Sequence, residues 1–130
     1  MKQHYWSLIQ LRAYDHNGND VALSKPVSIL EGSTLHGTKP ENVTKGTVFK
    51  QMDTDNWDLG FHGNTGISVL QIDLGAEFDL SQIQLFNRFN SGADHYMNGT
   101  SIELFGADGQ RNRIIHTGIW HRQYSKEFLL

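Results

Sequence analysis

Cysteine is missing from all 130 residues, which excludes a disulfide framework and a thiol nucleophile. Its absence fits a cytoplasmic or virion protein without excluding secretion. Basic charge is scarce: 11 Lys and Arg against 14 Asp and Glu give a net charge of −3, and no basic face advertises nucleic-acid binding. A local concentration exists only toward the end, where Arg111, Arg113, Arg122 and Lys126 fall close together. No apolar run approaches the length of a membrane-spanning helix, and the opening Met1–Trp6 holds nothing like a signal-peptide core. No segment of ten or more residues carries a 3.6-residue apolar stripe, so almost no helix is expected. Catalytic signatures are absent too. There is no His-Glu-x-x-His, no Gly-x-Ser-x-Gly and no phosphate-cradling glycine loop. Seven histidines are present, yet His116 and His121 stand five apart, on opposite faces of a continuous strand.

What the chain does have is alternation and turn chemistry. Residues 5–14, YWSLIQLRAY, read as a strand ended by Asp15-His16-Asn17-Gly18-Asn19. Val21-Ala22-Leu23 and 27–30 read as short strands around Pro26. Residues 31–47 and 50–66 are polar and glycine-rich. Strands are expected over 67–74, 82–89 and 100–105, a turn at Ala107-Asp108-Gly109, and a closing pair at 113–119 and 124–129. Many short strands separated by turn signals predict one all-β domain over residues 1–130, an antiparallel β-sandwich or jelly roll.

Several motifs stand in a suggestive order. Residues 69–88 run from VLQIDLG to Asn87-Arg88, and Met97-Asn98-Gly99 introduces the next strand. Upstream lie VALSKPVSILEGST at 21–34, the segment Asn42-Val43-Thr44-Lys45-Gly46-Thr47, and His62; Glu127 precedes a final Phe128-Leu129-Leu130. On these residues the chain resembles the discoidin or coagulation-factor C-type domain, the galactose-binding-like jelly roll, and most closely its fucose-binding branch, the F-type lectins. The likeness spans nearly the whole chain. It implies a non-catalytic domain that binds a terminal sugar such as fucose or galactose, with glycans as partners and cell-surface or glycan attachment as the role.

Carried over residue by residue, the resemblance matches His62 and Asn87-Arg88 to the family's sugar clamp. It departs after Arg88. The disulfide is gone, Asn90 stands where an Asp is usual, and either His95 or Tyr96 fills the slot of a second Arg. The relatives' calcium loop corresponds to Asn42–Thr47, where Lys45 replaces the expected Asp. Calcium needs several hard oxygen ligands, so the ion is disfavoured and no cofactor is expected. A Lys45–Glu127 contact is expected in its place. Asp53-Thr54-Asp55-Asn56-Trp57-Asp58 also suggests a calcium loop, but Trp57 stands at a ligand position and no Glu closes it.

The chemistry of the candidates is consistent with this. A guanidinium donates to two adjacent oxygens through a rigid fork, and an imidazole donates or accepts as its tautomer dictates. Arg88 and His62 are therefore the expected hydroxyl contacts, with Asn90, Asp94, His95 and Tyr96 on the rim and Trp57 or Phe61 as the stacking surface. Each has a structural alternative: Arg88 pairs with Glu103 and braces the sheet, Trp57 is core, and His62 is an ordinary loop residue. A single shallow site binds weakly, so avidity calls for a homo-oligomer or attachment to a larger adhesin, viral or tail assembly acting outside the cell or on a particle surface. The rival reading is a protein-docking or particle-assembly module on the same fold. A membrane role would need exposed apolar spikes, for which Trp57, Phe61 and Trp120 are the candidates.

Overall fold

A computed structural model describes residues 5–35, 37–46, 59–64, 67–88, 95–120 and 123–130. Nine strands run through them: β1 (Trp6–Leu8), β2 (Gln10–Asp15), β3 (Val27–Glu31), β4 (Phe61–Gly63), β5 (Val69–Ile72), β6 (Leu80–Phe86), β7 (Ser101–Phe105), β8 (Arg111–His116) and β9 (Ser125–Leu129). A 3-10 turn runs over Pro40–Thr44. The protein is all-β, and every strand pairing among the described residues is antiparallel.

Strand β6 is the centre of a three-stranded sheet ordered β2-β6-β9, and three two-stranded ladders surround it: β1-β4, β3-β5 and β7-β8. Alternation decides which side chains face inward. Ile83 lies opposite Ala13 and Phe128, and Leu85 lies opposite Leu11 and Lys126. Those positions supply the apolar face, while Gln84, one residue out of phase, reaches Glu127 across the other side at 3.2 Å. One core gathers Leu8, Ala13, Ala22, Val43, Phe61, Ile83, Leu85, Met97 and Trp120, drawing on strands, the 3-10 turn and three loops or turns.

Two expectations are corrected. Val21-Ala22-Leu23 is a turn, not a strand. Asp20 holds it, its Oδ1 accepting the amides of Ala13 and Ala22 at 3.1 Å each, and Ser24 bends the chain onward with a positive φ of 60°. The segments at 113–119 and 124–129 do not close on each other. β8 completes a hairpin with β7, whereas β9 crosses to the free edge of β6. Both choices follow apolar pairing, Ile102 with Ile115 and Ile83 with Phe128.

The first turn reads as the sequence implies. Asp15 Oδ1 accepts the amides of Asn17 and Asn19 at 2.9 Å each, and Gly18 takes a φ of +82°. The Asn19 amide, with the Asn19 side chain, the Asn17 amide and the charge of His16 in support, holds the Asp15 carboxyl below its ordinary value of 3.8. A depressed folded-state pKa adds stability above the unfolded value and loses it as pH falls through the folded one. Asp15→Asn is therefore expected to remove part of the acid limb of the stability curve below about pH 4, leaving the neutral region nearly flat. Thermal melts of both proteins from acid to neutral pH check this; identical acid limbs would show that the carboxylate contributes nothing.

Candidate functional site

The β1-β4 ladder sorts the residues between Tyr5 and His62. Ser7 lies opposite His62, and Leu8 opposite Phe61. Cross-strand partners share a face, so His62, Ser7 and, two residues back, Tyr5 lie on one side. Phe61, Leu8 and Trp6 lie on the other. That other side is the core: Phe61 is buried there and meets the Trp6 ring at 6.0 Å. Phe61, expected as a stacking surface for ligand, is a core residue.

His62 is only 4% exposed. Its backbone is fixed from both directions by the 35–38 loop: its N–H donates to Thr38 Oγ1 at 3.0 Å, and its carbonyl accepts from Leu35 N at 2.8 Å and Thr38 Oγ1 at 3.2 Å. Its ring is covered by Tyr5 at 5.7 Å and Tyr96 at 5.8 Å, and these two tyrosines meet each other at 5.9 Å. His95 then packs edge-on against Tyr96 at 5.0 Å. His62, Tyr96 and His95 thus stand in one ring cluster, with His62 buried, Tyr96 half-buried and His95 exposed.

The turn that carries His95 and Tyr96 is held from three directions. Met97 is fully buried in the core. Asn98 Oδ1 accepts the backbone N–H of Trp120. Thr100 Oγ1 accepts the Trp6 indole N–H at 2.8 Å, tying the turn to β1 and hence Tyr5 to Tyr96. Gly99 supplies the left-handed step, with φ +76° and its amide on Gly118 O at 3.1 Å. Met97-Asn98-Gly99 is therefore a structural plug that presents the two residues before it.

Asn87 and Arg88 divide their work. Asn87 is fully buried and braces the entry to β9, its amide on Tyr124 O at 2.8 Å and its Nδ2 on Gln123 O at 3.1 Å. Strand β6 ends at Phe86, opposite Gln10, so Asn87 and Arg88 leave the sheet at the end where β1 and β4 stand. Arg88 is half-buried there. Glu103, its expected structural partner, instead binds Arg111 at 3.0 Å. Trp57, Asn90 and Asp94 lie outside the described residues. Tyr5 was missed in the sequence, where it reads as one more strand aromatic; only the pairing of Ser7 with His62 reveals which face it joins.

The expected Lys45–Glu127 contact does not form. Glu127 points out of the three-stranded sheet to Gln84, while Lys45 closes the 3-10 turn, its amide on Asn42 O at 3.3 Å. Asn42, the other residue assigned to that loop, is buried. Its Nδ2 donates to Gly60 O at 3.1 Å, and its carbonyl accepts from Gln10 Nε2 at 2.7 Å. This sequon asparagine is part of the frame, whereas Asn98, in the other sequon, is exposed. Among the described residues no three metal-ligating side chains gather about one point. The other segment that suggests a calcium loop, 53–58, lies outside them. Trp120, a candidate membrane spike, is fully buried, and no helix among the described residues is long and apolar enough to cross a membrane.

Comparison with protein-family models, with curated proteins and with solved structures found no match to this chain.

Proposed function

We infer that this chain is a non-catalytic carbohydrate-binding domain of the galactose-binding-like, discoidin type, holding a terminal sugar at the β1-β4 end. The observation that carries the reading is the convergence of Tyr5, His62, Tyr96 and His95 into one ring cluster at the end of the sheet where Arg88 emerges. Tyr and His rings offer both an apolar face for the C–H side of a sugar and polar tips for its hydroxyls. Arg88 adds a planar double donor. Because His62 is covered, its part is to support Tyr96 from below; sugar contact falls to Tyr96, His95 and Arg88.

A glycan array probed with the multivalently presented protein tests this. Selective binding is expected, with Arg88→Ala and Tyr96→Ala each weakening it about tenfold or more, equivalent to losing one or two charge-assisted hydrogen bonds or one stacked ring. A folded protein silent across the array overturns the reading. It would favour the protein-docking module instead, for which the exposed Ile119 and Leu129 are the motivating residues.

A further inference from the structure

We propose that the polar depression beside the His62 strand is an anion subsite, which takes the carboxylate of an acidic saccharide and a hydroxyl next to it. This rests on the carbohydrate-binding reading and gives its ligand a chemical class. The depression measures about 200 Å³ and is lined by Gly37, Thr38, Lys39, Asn42 and Lys45. Drug-sized ligand pockets run to roughly 300–1,000 Å³, so this volume suits one substituted group of a larger ligand.

Local sequence builds it. Lys39 precedes Pro40 and is extended, with φ −100° and ψ 134°, as the residue before a proline prefers. Pro40 then opens the 3-10 turn, and Lys45 closes it in the helical region. The two ammonium-bearing residues therefore flank one turn and line the same hollow. Both are exposed, and among the described residues neither makes an ion pair or a side-chain hydrogen bond. Two other lysines are engaged: Lys126 donates to Thr117 O and Ile119 O at 2.8 Å each, and Lys25 lies over the Phe78 ring at 5.8 Å.

Asn42 adds an acceptor to the lining. It is 5% exposed, and its Nδ2 is committed to Gly60 O. Its Oδ1 receives no hydrogen bond among the described residues, although the side chain lines the depression. That oxygen is not sealed from solvent and stays open to a donor in the depression. A ligand hydroxyl would satisfy it. Two cations with one amide acceptor match a carboxylate and its neighbouring hydroxyl better than they match a bare anion, which leaves Asn42 unanswered, or a neutral sugar, which leaves both lysines so. Thr38, in the wall, also clasps the backbone of His62, the residue whose ring Tyr5 and Tyr96 cover. The depression and the ring cluster thus share His62 as a neighbour.

The test titrates the full chain with a galacturonate trisaccharide, a neutral galactose trisaccharide and sodium sulfate, following backbone amide shifts and affinity by NMR. The double substitution Lys39→Gln, Lys45→Gln serves as the variant, since both side chains are exposed and leave the fold intact. The acidic trisaccharide is expected to shift amides in 37–46, to bind more weakly at high salt, and to lose about 3- to 30-fold affinity in the variant. The neutral trisaccharide should bind both proteins alike. Equal acidic binding by both proteins overturns the subsite while leaving the carbohydrate reading standing, as does sulfate shifting the same amides as strongly. If neither saccharide binds, the parent reading falls and the subsite with it.

Discussion

Replacing Gln10 by Glu should yield a protein that is stable in acid and progressively loses that stability as pH rises above about 4.3, the ordinary value for a glutamate. Gln10 has no exposed surface. Both of its amide protons are used, by Asn42 O at 2.7 Å and Leu59 O at 2.9 Å, and its Oε1 accepts the Gly46 amide at 3.2 Å. Glu has the same shape but, once ionised, directs an oxygen at two carbonyl oxygens with no proton between them. Burial and those carbonyls both favour the protonated form, so the folded-state pKa is raised. The native state then binds a proton that the unfolded chain has released. Stability is fully present below the unfolded value and is lost as pH rises through the folded one. Gln10→Ala lacks this dependence and should cost about 3–4 kcal/mol at every pH, from three lost hydrogen bonds and a small void. Against a total of roughly 5–15 kcal/mol, that is a large share. Urea unfolding near pH 4 and near pH 7 separates the two variants. A Gln10→Glu midpoint that does not move between them would mean the amide is not sealed in as described. Because Gln10 holds both Asn42 and Gly46, Gln10→Ala should also loosen the Lys39–Lys45 depression before it disturbs the 95–100 turn.

Such a residue shows where sequence reading stops. Alternation gave the all-β class and most strands, since apolar and polar residues must separate across a pleated sheet whatever the topology. Pairing was not visible. Nothing in RNRIIH or SKEFL says that β8 joins β7 while β9 joins β6. The same limit governs the site. Phe61 and His62 were bound to face opposite ways, but which of them met the core was set by Leu8, more than fifty residues earlier in the chain. His62, His95 and Tyr96 were singled out only through the resemblance to the F-type lectins, which set His62 at that family's histidine and His95 or Tyr96 in the slot of its second Arg. Tyr5 was overlooked because it sits at the head of an ordinary strand. Lys45 and Glu127 were matched because the resemblance set both at the relatives' calcium site and their charges are opposite, with no knowledge that one closes a 3-10 turn and the other faces Gln84. The short polar hold of Asp20 on Ala13 and Ala22 likewise overrode an apolar triplet that read as strand.

Trp120→Ala should be the most damaging single truncation, lowering stability by about 3–5 kcal/mol and the melting temperature by roughly 10–20 °C. The ring has no exposed surface, and the Lys126 ammonium lies 4.9 Å from its centroid. Its Nε1 donates to Thr117 Oγ1 at 3.0 Å, and that hydroxyl donates to Thr100 O at 2.8 Å. Trp120→Phe keeps most of the volume and breaks only the first link of this relay, so a loss of about 1–2 kcal/mol is expected. Thermal or urea unfolding of the pair reads the difference; equal losses would mean that the indole N–H, not the ring volume, dominates. The consequence for the site is specific. Asn98 grips the Trp120 backbone and Thr100 takes both the Thr117 hydroxyl and the Trp6 indole, so the turn presenting His95 and Tyr96 is clamped through this one side chain's surroundings. Amide exchange in 95–100 should therefore quicken in Trp120→Ala at temperatures where the rest of the protein is still folded, while exchange in the distant Asp15–Asn19 turn does not. Glycan binding should fall alongside it. Tyr96→Ala would lose binding with far less loss of stability, because Tyr96 covers His62 without holding the turn, and the two variants together separate contact with ligand from the order that makes contact available.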